Sequence, residues 1–180
     1  PRGVALVIAC STFPTWNGYP GIFASLVTGN PVIVKAHPTV ILPLAISVAV
    51  ARAVLSEAGF DPNLVSLLID DPAAPVAKEV AMNPEVRLID YTGGPAFGNW
   101  LEANCRHAMV YTEKAGVNCI VVDSIDDYKA MLKNLAFTLS LYSGQMCTTP
   151  QTIFVSREGV KTPEGVISVE QFGRDLASAV

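Results

Sequence analysis

Six short runs rich in β-branched residues, at 4–9, 31–35, 64–69, 86–91, 108–111 and 118–122, alternate with longer stretches of helical character. None of these runs alternates cleanly between polar and apolar residues, as a strand with one wet face would. They read as strands buried on both faces, and parallel strands joined by helical crossovers are buried in that way. The expected fold is therefore α/β, an open, mostly parallel sheet with helices on both faces. With 51% hydrophobic and 16% charged residues and a mean hydropathy of +0.40, the composition fits such deep burial and excludes disorder.

Helices are expected at 39–58, stopped by Gly59, at 74–82 before Asn83-Pro84, and at 96–104 after a glycine turn. Another at 125–141 opens with Asp126 and Asp127, which suit the positive end of a helix dipole. A strand at 152–155, a polar loop at 156–165 and a last helix at 169–180 complete the reading. The first strand has no lead-in and the last helix nothing after it, so both ends look cut.

Several functional classes are excluded. A net charge of −4 provides no basic surface for a nucleic-acid backbone. The longest apolar stretch, 40–51, is well short of the roughly 20 residues of a membrane span. The apolar opening lacks a starting Met and a basic leader, and so does not read as a signal sequence. Cys10, Cys105, Cys119 and Cys147 are scattered without CxxC spacing, which suits thiols in a reducing cytoplasm and implies no metal site.

The residues that carry chemistry sit at strand ends and turns. Gly93, Gly94 and Gly98 lie where a strand turns into a helix, a place where backbone N–H groups can receive a pyrophosphate. A plain βα turn is the competing reading, because the full G-x-G-x-x-G pattern is absent. Lys35 ends an apolar strand, where ligands of open α/β sheets bind, although on its own a snorkelling surface lysine is the better reading. His37 follows it closely. Glu113 stands after the 108–111 strand beside Lys114, as a solvated ion-pairing carboxylate also would. Cys147 occupies a Gly/Ser/Thr-rich connection, accessible as a nucleophile must be, whereas Cys119 lies within a strand and reads as core.

Taken in order, Phe13-Pro14, Gly29-Asn30-Pro31-Val32-Ile33-Val34-Lys35, Tyr91-Thr92-Gly93-Gly94, Glu113 and Gly144-Gln145-Met146-Cys147 resemble the aldehyde dehydrogenase superfamily. The 34-residue step from Glu113 to Cys147 matches the family's usual spacing. The stretch Thr12-Phe13-Pro14-Thr15-Trp16-Asn17 resembles the branch associated with phenylacetic acid degradation.

The resemblance implies a Rossmann-like cofactor-binding domain over 1–122 and the start of a catalytic domain over 123–180. It implies that Cys147 attacks an aldehyde, that hydride passes to NAD or NADP, and that water activated by Glu113 releases the acid. It places Lys35 and His37 near the adenosine ribose and Gly93, Gly94 and Gly98 at the pyrophosphate. The implied partner is a small-molecule aldehyde, and the implied full-length protein is a homo-oligomer in the cytoplasm. Residues 1–180 alone are expected to be inactive.

This sequence departs from the family's pattern in three places. Thr12 stands where the family places an oxyanion-holding Asn, and Asn17 substitutes only if the following helix is several residues shorter. Glu113-Lys114-Ala115-Gly116 replaces the family's Glu-Leu-Gly-Gly. Ala36 and Pro38 replace the Pro and Glu that commonly follow the lysine, and without that acid a 2′-phosphate is not repelled. NADP is then at least as well accommodated as NAD. Two alternatives remain open: a CoA-acylating relative, against which Glu113 counts, and a non-catalytic nucleotide-binding domain, for which Thr12 counts.

Overall fold

In the computed structural model, which describes residues 1–180, the chain forms two compact units, Pro1–Ala115 and Gly116–Val180. The first runs β1 (Val4–Ile8), α1 (Pro14–Val27), β2 (Val32–Lys35), α2 (Leu42–Glu57), β3 (Val65–Leu68), α3 (Ala77–Ala81), β4 (Val86–Gly93), α4 (Pro95–Asn104) and β5 (Met109–Lys114). Its five strands form one parallel sheet in the order β3-β2-β1-β4-β5.

Successive side chains of a strand point to opposite faces, and the central strand divides the core accordingly. Ala5, Val7 and Ala9 pack with Ile22 of α1 and Leu44 and Val48 of α2. Leu6 and Ile8 pack on the other face with Ile89 of β4 and with Leu101 and Cys105 at α4. β1 is buried on both sides, as its unbroken apolar run requires. β5, at the end of the sheet, departs from that expectation: Tyr111 and Glu113 are exposed on one face while Val110 and Thr112 are half-buried on the other.

The helix α1 carries Pro14, Gly18, Pro20 and Gly21, residues that punctuate a chain more often than they build a helix. Pro14 takes the first helical position, where a missing N–H costs nothing. The two glycines face inward. A Cβ on Gly18 would stand 3.4 Å from Leu44, and one on Gly21 would stand 2.8 Å from the Asp90 carboxylate. They let α1 lie close to the sheet.

Two helices of this unit are shorter than expected. α2 starts at Leu42 because Thr39 turns its N–H back onto His37 Nδ1 at 3.3 Å. α3 is only five residues long because the preceding turn is held by aspartates. Asp71 accepts the Ala73 N–H at 2.8 Å, and Asp70 accepts that of Val76 at 3.2 Å.

The second unit contains β6 (Asn118–Val122), α5 (Tyr128–Ser140), β7 (Pro150–Val155), β8 (Val160–Thr162), β9 (Gly165–Ile167) and α6 (Val169–Ala179). β6 pairs in parallel with β7 inside this unit, which begins at Gly116. The stretch expected to be a loop contains β8, which forms an antiparallel hairpin with β9. Asp127 caps α5 by accepting the Ala130 N–H at 2.9 Å. Tyr128 donates to Asp175 at 2.9 Å and joins α5 to α6, and burial with that contact pushes its hydroxyl pKa to about 12. Val122, Leu135, Val160 and Phe172 form this unit's core. No helix is long and apolar enough to cross a membrane.

Leu101 is fully buried where α4 meets the sheet. Leu101→Ala is expected to destabilise the protein by about 2–5 kcal/mol, the range for a buried leucine that leaves a cavity. Urea unfolding followed by circular dichroism measures this, and an unchanged midpoint would contradict the packing described.

Candidate functional site

Leaving β1, the chain builds β2 and β3 on one side of it and β4 and β5 on the other. Ligands of open α/β sheets bind outside the strands' carboxyl ends, where the order reverses in this way. A cavity of about 500 Å³ lies there, bordered by Cys10 after β1, Lys35 at the end of β2, Asp70 after β3, and Gly93 and Gly94 at the end of β4. His37 also lines it. A second cavity, of about 600 Å³, runs beside the middle of β1 and β4 and holds none of the residues singled out from the sequence.

Lys35 is not a surface lysine. It is buried, donates to the Ala36 carbonyl at 3.0 Å, and has its ammonium 2.5 Å from Asp70 Oδ1. The ammonium–carboxylate approach is close but lacks hydrogen-bond alignment, since Oδ1 has no aligned donor. His37 accepts the Thr39 N–H on Nδ1, which places the neutral ring's proton on Nε2.

The glycine turn is open to a ligand. Gly94 caps α4 in an extended conformation with no side-chain cap, and nothing lies within 4 Å of where its Cβ would be. The first-turn N–H groups are thus available to an anion. Tyr91 fixes the turn by donating to the Gly94 carbonyl at 2.9 Å, and its burial raises its own pKa. Gly98 has a different place. It is buried against the sheet, where a Cβ would stand 2.7 Å from Lys114 Cδ and 3.1 Å from Tyr91 Cε1, and it does not line the cavity. Its role is close helix–strand packing.

Thr12 lies exposed in the bend after β1, its hydroxyl 3.7 Å from Cys10 Sγ. α1 begins at Pro14, so Asn17 sits in its first turn, with its side-chain carbonyl 3.4 Å from the Cys10 thiol. Glu113 projects from β5 on the face opposite Lys114, and Lys114 is paired with Glu102 at 2.8 Å. The neighbouring Asp90 has a raised pKa, first from burial and then from the Glu113 charge.

Cys147 belongs to the second unit, exposed after a short 3-10 turn that follows α5. Its carbonyl accepts from the Asn118 amide. Just before it, Tyr142, Ser143 and Gly144 adopt φ of 56°, 57° and 70°. The left-handed region costs a non-glycine residue about 1–2 kcal/mol, so this turn holds strain. Cys119, read as core, is exposed, because β6 leaves one face open.

The reversed parallel sheet with a cleft at its switch point is the architecture of a dinucleotide-binding domain. Residues 1–163 match the model of the aldehyde dehydrogenase family, and the chain belongs to that family. It is 29% identical over 162 residues to a vanillin dehydrogenase of Pseudomonas fluorescens, covering 86% of this chain and 32% of that one. With a betaine aldehyde dehydrogenase of Bacillus subtilis the identity is 29% over 154 residues, covering 81% and 30%. A crystal structure of an NAD-dependent aldehyde dehydrogenase from Burkholderia multivorans superposes with a TM-score of 0.95 at 58% identity, over 100% of this chain and 32% of that one. The chain thus spans about a third of the length of these relatives.

Asp70 was not singled out from the sequence. Its signal was the same as that of Lys35, a charged residue just past an apolar strand.

Thiol reactivity is expected to follow exposure. Cys147 and Cys119, both exposed, should be alkylated first, while Cys105, buried and with its pKa raised by that burial, should be spared. Mass-spectrometric mapping after brief substoichiometric alkylation checks the order. Cys105 labelled ahead of Cys147 would contradict it.

Proposed function

We propose that the protein carrying this chain oxidises an aldehyde to a carboxylic acid with NAD(P), through a thioester on Cys147. The observation that carries this reading is the open glycine turn facing a buried lysine across one cleft, in a chain of the aldehyde dehydrogenase family. Gly93, Gly94 and the first turn of α4 fit a pyrophosphate, and Lys35 with His37 fits the adenosine ribose. Gly98 acts behind them, by bringing α4 close to the sheet.

The Cys147 thiolate adds to the aldehyde carbon, and the Thr12 hydroxyl donates to the oxygen that becomes negative. A nicotinamide dinucleotide held by Lys35, Gly93 and Gly94 would supply the hydride acceptor for oxidation of that adduct to a thioester. Glu113 accepts a proton from water, the hydroxide adds to the thioester carbon, and the thiolate departs with release of the acid. An exposed carboxylate at a strand end suits this task, because it can return its proton to solvent.

We assign the substrate to the aldehydes of phenylacetic acid degradation on the sequence around Phe13-Pro14. Four cysteines without a disulfide support a cytoplasmic location, and a homo-oligomer is our reading for the whole protein.

In the full-length protein, Glu113→Gln is expected to form the thioester and hydrolyse it slowly. Stopped-flow absorbance should show a burst of reduced cofactor close to one per site, then a steady rate lowered by about 10²–10⁴. Wild-type turnover would remove Glu113 from the mechanism and favour a CoA-acylating enzyme. No burst and no turnover, with cofactor binding retained, would favour a non-catalytic domain.

A further inference from the structure

The sequence after Lys35 lacks an acid, yet the fold supplies one from another strand. Asp70 follows β3, next to β2 in the sheet, and its carboxylate lines the same cleft as Lys35. Both side chains are buried, at 8% and 3% exposure, with Nζ 2.5 Å from Oδ1. Asp70 is held there from behind, where Oδ2 accepts the Val76 N–H at 3.2 Å. Its Oδ1 is buried against the Lys35 ammonium, with no aligned hydrogen-bond donor.

We propose that Asp70 sets cofactor choice in this cleft, favouring NAD over NADP by neutralising Lys35 and presenting a carboxylate where a 2′-phosphate would lie. The proposal rests on the reading that Lys35 faces the adenosine ribose.

A lone buried ammonium would attract a 2′-phosphate strongly. Paired with a carboxylate at contact distance, it offers no net positive charge, and a dianionic group brought beside it meets repulsion in a partly desolvated pocket. A neutral 2′-hydroxyl meets the opposite situation, since it can donate to the carboxylate and accept from the ammonium. The rest of the cleft does not restore a positive balance. Lys78, its other lysine, is matched by Asp71 in number, and its ammonium lies 4.9 Å from the centre of the Trp100 ring.

The test is direct titration of the full-length protein with NAD and with NADP by calorimetry, for wild type, Asp70→Asn and Asp70→Glu. Wild type is expected to bind NAD on the order of tenfold or more tighter than NADP. Asp70→Asn keeps the shape and an acceptor for Val76 but removes the charge, and should tighten NADP and bring the two within about threefold. Asp70→Glu keeps the charge and should keep the preference, which also controls for a fold that tolerates only an acid. A wild type that binds NADP as well as NAD, or an Asp70→Asn variant with an unchanged ratio, overturns the proposal and leaves Asp70 a structural ion pair. A wild type that binds neither dinucleotide overturns the underlying cofactor-site reading as well, an outcome distinct from an unchanged ratio.

Discussion

Everything in the first unit depends on the parallel pairing of β1 with β2 and β4. Ile8, the last residue of β1, stands level with Lys35, the last of β2, and with Tyr91, two residues before β4 ends at Gly93. That common height is the floor of the cleft. A one-residue slip of β2 would turn Lys35 to the opposite face and take Val34, which is fully buried, out of the core it packs in. The apolar cores on both faces oppose such a slip, because each would lose its matched residues. Hydrophobic burial, with no chemistry of its own, therefore determines where the charged lysine stands.

The close approach of helices to this sheet is the second constraint. Gly18 and Gly21 bring α1 in on one face, and Gly98 brings α4 in on the other. Gly98 shows how a glycine near a ligand site can serve the site indirectly. A side chain there would push α4 away from Tyr91, the residue whose hydroxyl fixes the Gly94 carbonyl. The glycine turn thus depends on packing one helical turn further along.

Strands were the most legible elements, because runs such as Val4–Ile8 and Val32–Lys35 combine β-branched residues with unbroken apolarity. Most of the glycine turn was legible for a related reason, since glycines between a strand and a helix have few other uses. In α1, prolines and glycines that mean termination in isolation serve helix start and close packing in context. The β8–β9 hairpin was hidden because three-residue strands carry too little pattern to stand out from a polar loop. Cys119 was misread because its apolar neighbours suggested two covered faces, whereas β6 belongs to a two-stranded sheet with one face open. The Lys35–Asp70 pair was illegible for a deeper reason. Its members are 35 residues apart and meet only because β2 and β3 are neighbours in parallel register, with Lys35 level with Leu68.

The parts assigned to binding and to bond-making are placed on structure of different kinds. The binding residues stand at the ends of central strands or at the turn into α4, where neighbours on both faces limit their movement. Glu113 stands on the end strand with its face open, and Cys147 follows a turn with two non-glycine residues in the left-handed region. A cofactor must be held in one orientation, which favours rigid supports. A nucleophile and a base must meet substrate and water and then release product, which favours accessible segments of lower local stability. The left-handed backbone at Tyr142 and Ser143 persists only because its surroundings hold it there, so the segment before the thiol is shaped by local contacts and not by a regular element. The same physical asymmetry that made Lys35 easy to position in the fold places Glu113 and Cys147 where burial alone does not fix them.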